Sequence, residues 1–236
     1  MKNWMILPSA LFFLILGSSD EAIGQSKFHF FIGPGAAYYQ GDVSESGLPD
    51  PRMIRFNLKA GVGYDLSPRW GIRLHGSMGS LRGSDAYTID PGKIARGISF
   101  NTSIIDAGLT VKVNGLLNNR LKLENYLFVG VDYLNMQVAK SVQGTGVLIP
   151  ERTFSSHQLN FPVGIGLGYW FTPLIGLFYE GSLHFVTTDY LDGTSLGGNP
   201  SSPDTYFDSH ILLVFRFGQL KRGGKDSFGN TECPRF

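Results

Sequence analysis

Apolar and polar residues alternate one by one along most of this chain, the pattern of a strand whose two faces meet different surroundings. Residues 53–66 place Ile54, Phe56, Leu58, Ala60, Val62, Tyr64 and Leu66 on one face. Arg55, Asn57, Lys59, Gly61, Gly63 and Asp65 fall on the other. The same two-faced pattern returns at 70–82, 98–113, 123–137, 158–171, 176–188 and 205–217. A less regular segment, 27–39, carries Phe28, Phe30 and Ile32, and Pro34 there marks a bulge or an edge irregularity. The pattern predicts eight strands, several about twice the length of an ordinary globular strand. The connections alternate: short at 67–69, 114–120 and 172–175, long at 40–52, 83–97, 139–157 and 189–204.

Short turns on one side, long loops on the other and one continuous apolar face per strand predict an all-β fold. That fold is an eight-stranded antiparallel transmembrane up-and-down β-barrel with its apolar face outward. Hydrocarbon offers no hydrogen-bond partners, so a sheet in lipid must close on itself. Tyr64, Trp70, Tyr169 and Trp170 lie near the short turns and suit an interfacial girdle. The competing reading is a soluble barrel of lipocalin type, with the charged face outward; the Phe, Leu and Ile content of the other face and the strand lengths argue against it.

Composition agrees. Gly is 31 of 236 residues, about twice its usual share, and aromatics are 13%, as β-barrels use them. Lys2 precedes an apolar run from Trp4 to Gly17, then Ala22-Ile23-Gly24. This reads as a secretory signal peptide over 1–24, too short to span a bilayer. The barrel is expected over 25–218 and a flexible periplasmic tail over 219–236, which puts both ends of the mature chain in the periplasm. Net charge is +1, which points away from nucleic acid. The lone cysteine, Cys233, has no partner in the chain and reads as an incidental thiol.

The inward face collects Arg55, Lys59, Arg73, Lys112 and Arg216 with Asp106, Asp132, Glu180 and Asp208. Charges removed from water must be paired, so these predict an interior polar network filling a narrow lumen. Glu180, Ser182 and His184 share that face, as do His75 with Ser77 and Asp208 with His210. Some eight-stranded outer-membrane enzymes that act on lipid A use such residues. Side chains two apart on a strand stand about 6.5 Å apart, too far for a nucleophile and its base to touch. No catalysis and no cofactor are expected.

Three stretches carry a family resemblance. They are Ala37-Tyr38-Tyr39-Gln40-Gly41-Asp42, the run from Phe161 to Tyr169, and Thr188-Asp189-Tyr190-Leu191-Asp192-Gly193-Thr194-Ser195; Val214 to Gly218 closes the chain's last strand. In this order they resemble PorG-like outer-membrane barrels of bacteria that carry type IX secretion. The resemblance implies a non-enzymatic protein of the outer membrane, in contact with its lipids and with periplasmic secretion-ring proteins. The expected function is a structural or interaction component of a secretion or envelope assembly. The alternatives are a free-standing surface barrel that binds a ligand or partner through its outer loops, and a lipid-modifying enzyme. Tyr39, Gln40, Gly41 and Asp42 end the first strand at the outer rim. Asp189, Tyr190, Asp192 and Gly193 begin the fourth outer loop on the same rim. In a closed barrel the two motifs flank the last strand and shape loops there or meet a partner, with the Tyr190 hydroxyl in water at the interface. A calcium site on Asp189 and Asp192, with Asp42, is the other reading; it needs about six to eight oxygens, more than these residues offer.

Overall fold

The alternating segments form strands because each can turn its apolar face out of the barrel and its other face into a packed interior. A computed structural model describes residues 27–40, 50–87, 91–115, 123–142, 146–148, 156–188, 190–191 and 204–217. The expected signal peptide, the tail with Cys233, and Gly41, Asp42, Asp189, Asp192 and Gly193 lie outside the described residues.

The strands are β1 (Phe28–Gln40), β2 (Arg55–Asp65), β3 (Trp70–Ser84), β4 (Ile98–Asn114), β5 (Glu124–Val142), β6 (Gly146–Leu148), β7 (His157–Trp170), β8 (Ile175–Val186) and β9 (Thr205–Phe217). Each barrel strand pairs antiparallel with both neighbours, and β1–β9 pairing completes the ring. Eight strands make the barrel; β6 is a short addition to the far end of β5, inside the span expected to be a long loop. A helix, α1 (Pro91–Arg96), also occupies part of an expected loop. Proline is tolerated at a helix start, and Gly97 ends α1 with φ at 61°, a left-handed conformation that glycine adopts freely.

The registers fix the barrel's shape. One circuit of paired residues runs Phe28, Tyr64, Ile72, Val111, Val129, Val163, Leu183, Phe207 and returns to β1 at Tyr38. The stagger is therefore ten residues, 38 minus 28. Eight strands with that stagger tilt by about 40° and give a backbone radius of about 8 Å, a lumen that side chains can fill. Pro34 does not shift the register. Its ladder to β9 skips Gly33 and Pro34 and resumes at Gly35 opposite His210 in the same frame, since proline has no N–H to give.

The apolar faces point outward and are bare: Phe56 is 66% exposed, Ile105 60%, Leu109 57% and Ile165 57%. With the tilt above, each residue climbs about 2.5 Å along the barrel axis. The outward Phe, Leu, Ile and Val then form a belt about 25 Å tall, the height of a barrel's lipid band. Tyr64, Trp70, Tyr169, Phe171 and Phe217 ring its short-turn edge. Trp170 departs from the expected girdle. It is in phase with the inward positions and turns into the barrel mouth, where its Nε1 donates to Glu124 Oε2 at 2.6 Å.

Two short turns use the same device. Ser67 Oγ accepts the N–H groups of Arg69 and Trp70, and Thr172 Oγ1 accepts those of Leu174 and Ile175. A proline follows each hydroxyl residue and presets the bend. At the opposite end β3, β4 and β5 run past the belt. β4 has 17 residues and β5 has 19, against 11 in β2.

Candidate functional site

The lumen is not one network but a stack of distinct layers. At the short-turn mouth, Lys112 Nζ lies 2.9 Å from Asp65 Oδ1 and 3.7 Å from Glu124 Oε1, while Arg216 Nη2 lies 3.4 Å from Glu124 Oε2. The Arg216 guanidinium stacks 3.8 Å over the Trp170 ring. This mouth is partly wet: Asp65, Glu124 and Arg216 keep about a fifth of their side-chain surface.

Above it stands an aromatic collar of Phe31, Tyr126, Phe128 and Phe178. Glu180, fully buried, accepts from Arg73 Nη1, from Lys59 Nζ at 3.3 Å and from the Tyr126 hydroxyl at 2.5 Å. The Arg73 guanidinium lies 4.8 Å from the Phe128 ring centre and 5.3 Å from that of Phe31. The glycine stripe of β7 explains how these rings fit. A Cβ at Gly164 would stand 2.4 Å from Phe128, one at Gly166 2.2 Å from Tyr126, and one at Gly168 2.0 Å from Phe178.

The next layer is built from histidines, carboxylates and hydroxyls. Ser77 Oγ donates to Asp106 Oδ2 at 2.6 Å. Asn160 Nδ2 donates to Asp132 Oδ2 at 3.3 Å and to the Tyr206 hydroxyl at 3.2 Å, and lies 2.7 Å from His184 Nδ1. Ser182 Oγ donates to Asp208, His184 Nε2 lies 3.1 Å from Asp208 Oδ2, and His210 Nδ1 lies 3.7 Å from it. Asp208 thus stands between Ser182 and His184. In a hydrolytic triad the histidine stands in the middle and takes the serine proton; here neither ring nitrogen reaches Ser182 Oγ.

An apolar plug closes the long-loop end. Ala37, Tyr39, Leu81, Ile98, Phe100, Ile104, Leu134, Met136, Val186, Leu191 and Tyr206 pack inward there as one cluster, with Tyr190 against it. Tyr39 meets Phe100 edge to face at 4.8 Å, and Tyr206 stacks on His184 at 4.2 Å. Asp204 clamps the plug: Tyr39 Oη donates to its Oδ1 at 2.7 Å and the Leu191 N–H to its Oδ2 at 3.0 Å. Thr102 Oγ1 donates to the Leu191 carbonyl at 2.6 Å. Changing Tyr39 to Phe removes one donor to this buried carboxylate and is expected to cost about 1–3 kcal/mol. A urea-unfolding midpoint in detergent would read it, and an unchanged midpoint would mean that the clamp does not close.

The nine charged residues expected as one network divide. Lys59, Arg73 and Glu180 meet in the collar, and Lys112 and Arg216 meet at the mouth through Asp65 and Glu124. Asp106, Asp132 and Asp208 occupy the histidine layer. Arg55 is only half-buried and joins no ion pair among the described residues, because it sits at the upper end of β2. Tyr39 and Gln40 pair with Tyr206 and Thr205 at the start of β9. Tyr190, half-buried, packs against the plug. Asp204, Tyr206, Asn160, Tyr126 and the apolar plug were not anticipated, although Tyr126, Asn160 and Tyr206 are all in phase with inward neighbours.

Among solved structures, Neisserial surface protein A is similar at 12% identity, with a TM-score of 0.48, over 81% of this chain and 98% of that one. The attachment invasion locus protein Ail of Yersinia pestis is similar at 14% identity, with a TM-score of 0.41, over 82% and 99%. The outer membrane protein OprG from Pseudomonas aeruginosa is similar at 12% identity, with a TM-score of 0.45, over 83% and 99%. No curated protein matches the chain in sequence. The family model described as Domain of unknown function (DUF6089) matches residues 7–223, nearly the whole chain, and the protein belongs to that family.

Proposed function

We propose that this barrel is a non-enzymatic outer-membrane protein that works as a structural or interaction component of an envelope or secretion assembly. The observation that carries the reading is the filled lumen. An ion-paired collar and an apolar plug occupy it at successive levels, so little open space remains for transport or for a substrate. The surfaces left to act are the lipid belt and the two rims. Catalysis by Ser182 is disfavoured by the position of Asp208 between it and His184.

The resemblance of Tyr38 to Asp42 and of Thr188 to Ser195 to PorG-like barrels supports a place beside the type IX secretion machinery. In that reading the short turns and the tail after Phe217 face the periplasm and meet ring proteins. The test is an affinity tag after Phe236 and purification from native outer membranes. Secretion-ring proteins are expected in fixed proportion to the barrel; a clean monomer would overturn the assembly role.

A second reading has its own observation. β3, β4 and β5 rise past the belt, and β6 extends that wall. A free-standing surface barrel that binds through this raised side would give the clean monomer.

A further inference from the structure

We propose that His75, Asp106 and Asp132 form a site for one divalent first-row transition cation inside the lumen, with zinc as the ion to test. The three residues lie on adjacent strands β3, β4 and β5. His75 and Asp132 sit on either side of Gly108 in one row of the sheet, and Asp106 is the next inward position on β4. Gly108 makes room for the Asp132 carboxylate between them: a Cβ there would stand 2.0 Å from Asp132 Oδ1. One ligand atom from each of the three lies within 4.8 Å of the others. A cation held at about 2.0–2.2 Å by nitrogen and oxygen needs those atoms somewhat closer, a movement that side-chain rotation supplies.

Three independent features point to an ion rather than to a packed polar cluster. The first is burial with unspent valence. His75, Asp106 and Asp132 are 5%, 3% and 1% exposed. Asp132 Oδ1 has no hydrogen-bond partner, yet it faces His75 Nε2 at 3.4 Å; His75 Nδ1 is also unpartnered. Groups this deep normally find partners.

The second is charge. Asp65, Glu124 and Glu180 each meet a lysine or arginine. Asp106 and Asp132 meet neither among the ion pairs of the described residues. Two carboxylates in a dry layer need positive charge nearby. The third is support from outside the site. Ser77 Oγ donates to Asp106 Oδ2, and Asn160 Nδ2 to Asp132 Oδ2, the oxygen that does not face His75. Such bonds orient carboxylates for a metal and leave Asp132 Oδ1 without a partner of its own. One imidazole and two carboxylates form a donor set that suits zinc, manganese or ferrous iron better than calcium. Held this way, the ion would tie β3, β4 and β5 together inside the wall.

The test uses the full chain refolded in detergent with zinc chloride, then washed with chelator. The native barrel is expected to retain one zinc per chain after the wash and to release it only on unfolding, because the site is enclosed. Asp106→Asn and Asp132→Asn each remove a buried charge with little change in shape, so both should fold; retained zinc should fall at least tenfold in each. His157→Gln, at an exposed histidine outside the site, should retain as much as the native chain. Cobalt in place of zinc gives a second readout that needs no variant: visible absorption from nitrogen and oxygen ligands, lost on unfolding. No zinc retained by the native barrel would overturn the proposal. So would retention that the two asparagine variants leave unchanged, or a cobalt spectrum no different from that of the free ion.

Discussion

Replacing Glu180 with leucine is expected to destabilise the barrel by about 3–5 kcal/mol, the cost of leaving buried charge without its partner. Glu180 receives Arg73, Lys59 and the Tyr126 hydroxyl at once, near half the height of the belt. Phe31 and Phe128 face the cations, so mostly apolar surface is left around them when the carboxylate is lost. The same reasoning predicts a rescue. Glu180→Leu combined with Arg73→Met and Lys59→Met exchanges the whole group for apolar volume and should recover most of the loss. The contrast lies at the mouth, where Arg216 and Glu124 keep about a fifth of their surface and Arg216→Met should cost less than about 1 kcal/mol. Urea midpoints in detergent, read from the gel mobility of unboiled samples, would give all three values. A loss below about 1 kcal/mol for Glu180→Leu would mean that water reaches the collar.

Val129→Arg is expected to cost about 2–4 kcal/mol in a lipid bilayer. Val129 points outward, and in the circuit of paired residues it stands four strands from Phe28, midway to the return at Tyr38. That puts it about 12 Å above the short-turn edge, at the centre of the belt. Gln137 is on the same strand and the same face but about 20 Å higher, clear of hydrocarbon. Gln137→Arg should therefore change stability by less than about 0.5 kcal/mol. Folding into vesicles across a denaturant series separates the two. Equal small costs would return the soluble barrel to contention, since a charge on a face that meets water is nearly free.

Which residues face in and which face out was readable from alternation alone, because Lys59, Arg73, Asp106 and Glu180 each sit one residue from an outward Leu, Ile or Tyr. What alternation hid was chemistry along the inward face. Phe100 and Ile104 are in phase with Asp106, and Leu134 and Met136 with Asp132, so the inner face changes from polar to apolar partway up a strand. Reading it as uniformly polar missed the plug. Residue type alone puts Trp170 in the girdle, although its phase matches Gly166 and Gly168. β6 has three residues, too few for periodicity to register. The Asp204 clamp joins residues 165 positions apart, and no local pattern reports such a contact.

The place where the ring closes has a bearing on how the barrel forms. β1 and β9 are the two ends of the barrel segment, so their pairing closes the longest loop of chain and carries the steepest entropic barrier. Their ladder is also interrupted at Gly33 and Pro34. Tyr39 on β1 and Asp204 just before β9 fasten this junction at its upper end, beside the bond from Thr205 Oγ1 to the Gln40 carbonyl. Such contacts are expected to form last, after the other strands have paired. They raise the barrier to unzipping while adding nothing to the speed of assembly, so the rim tyrosine acts on the lifetime of the inserted protein rather than on its rate of insertion.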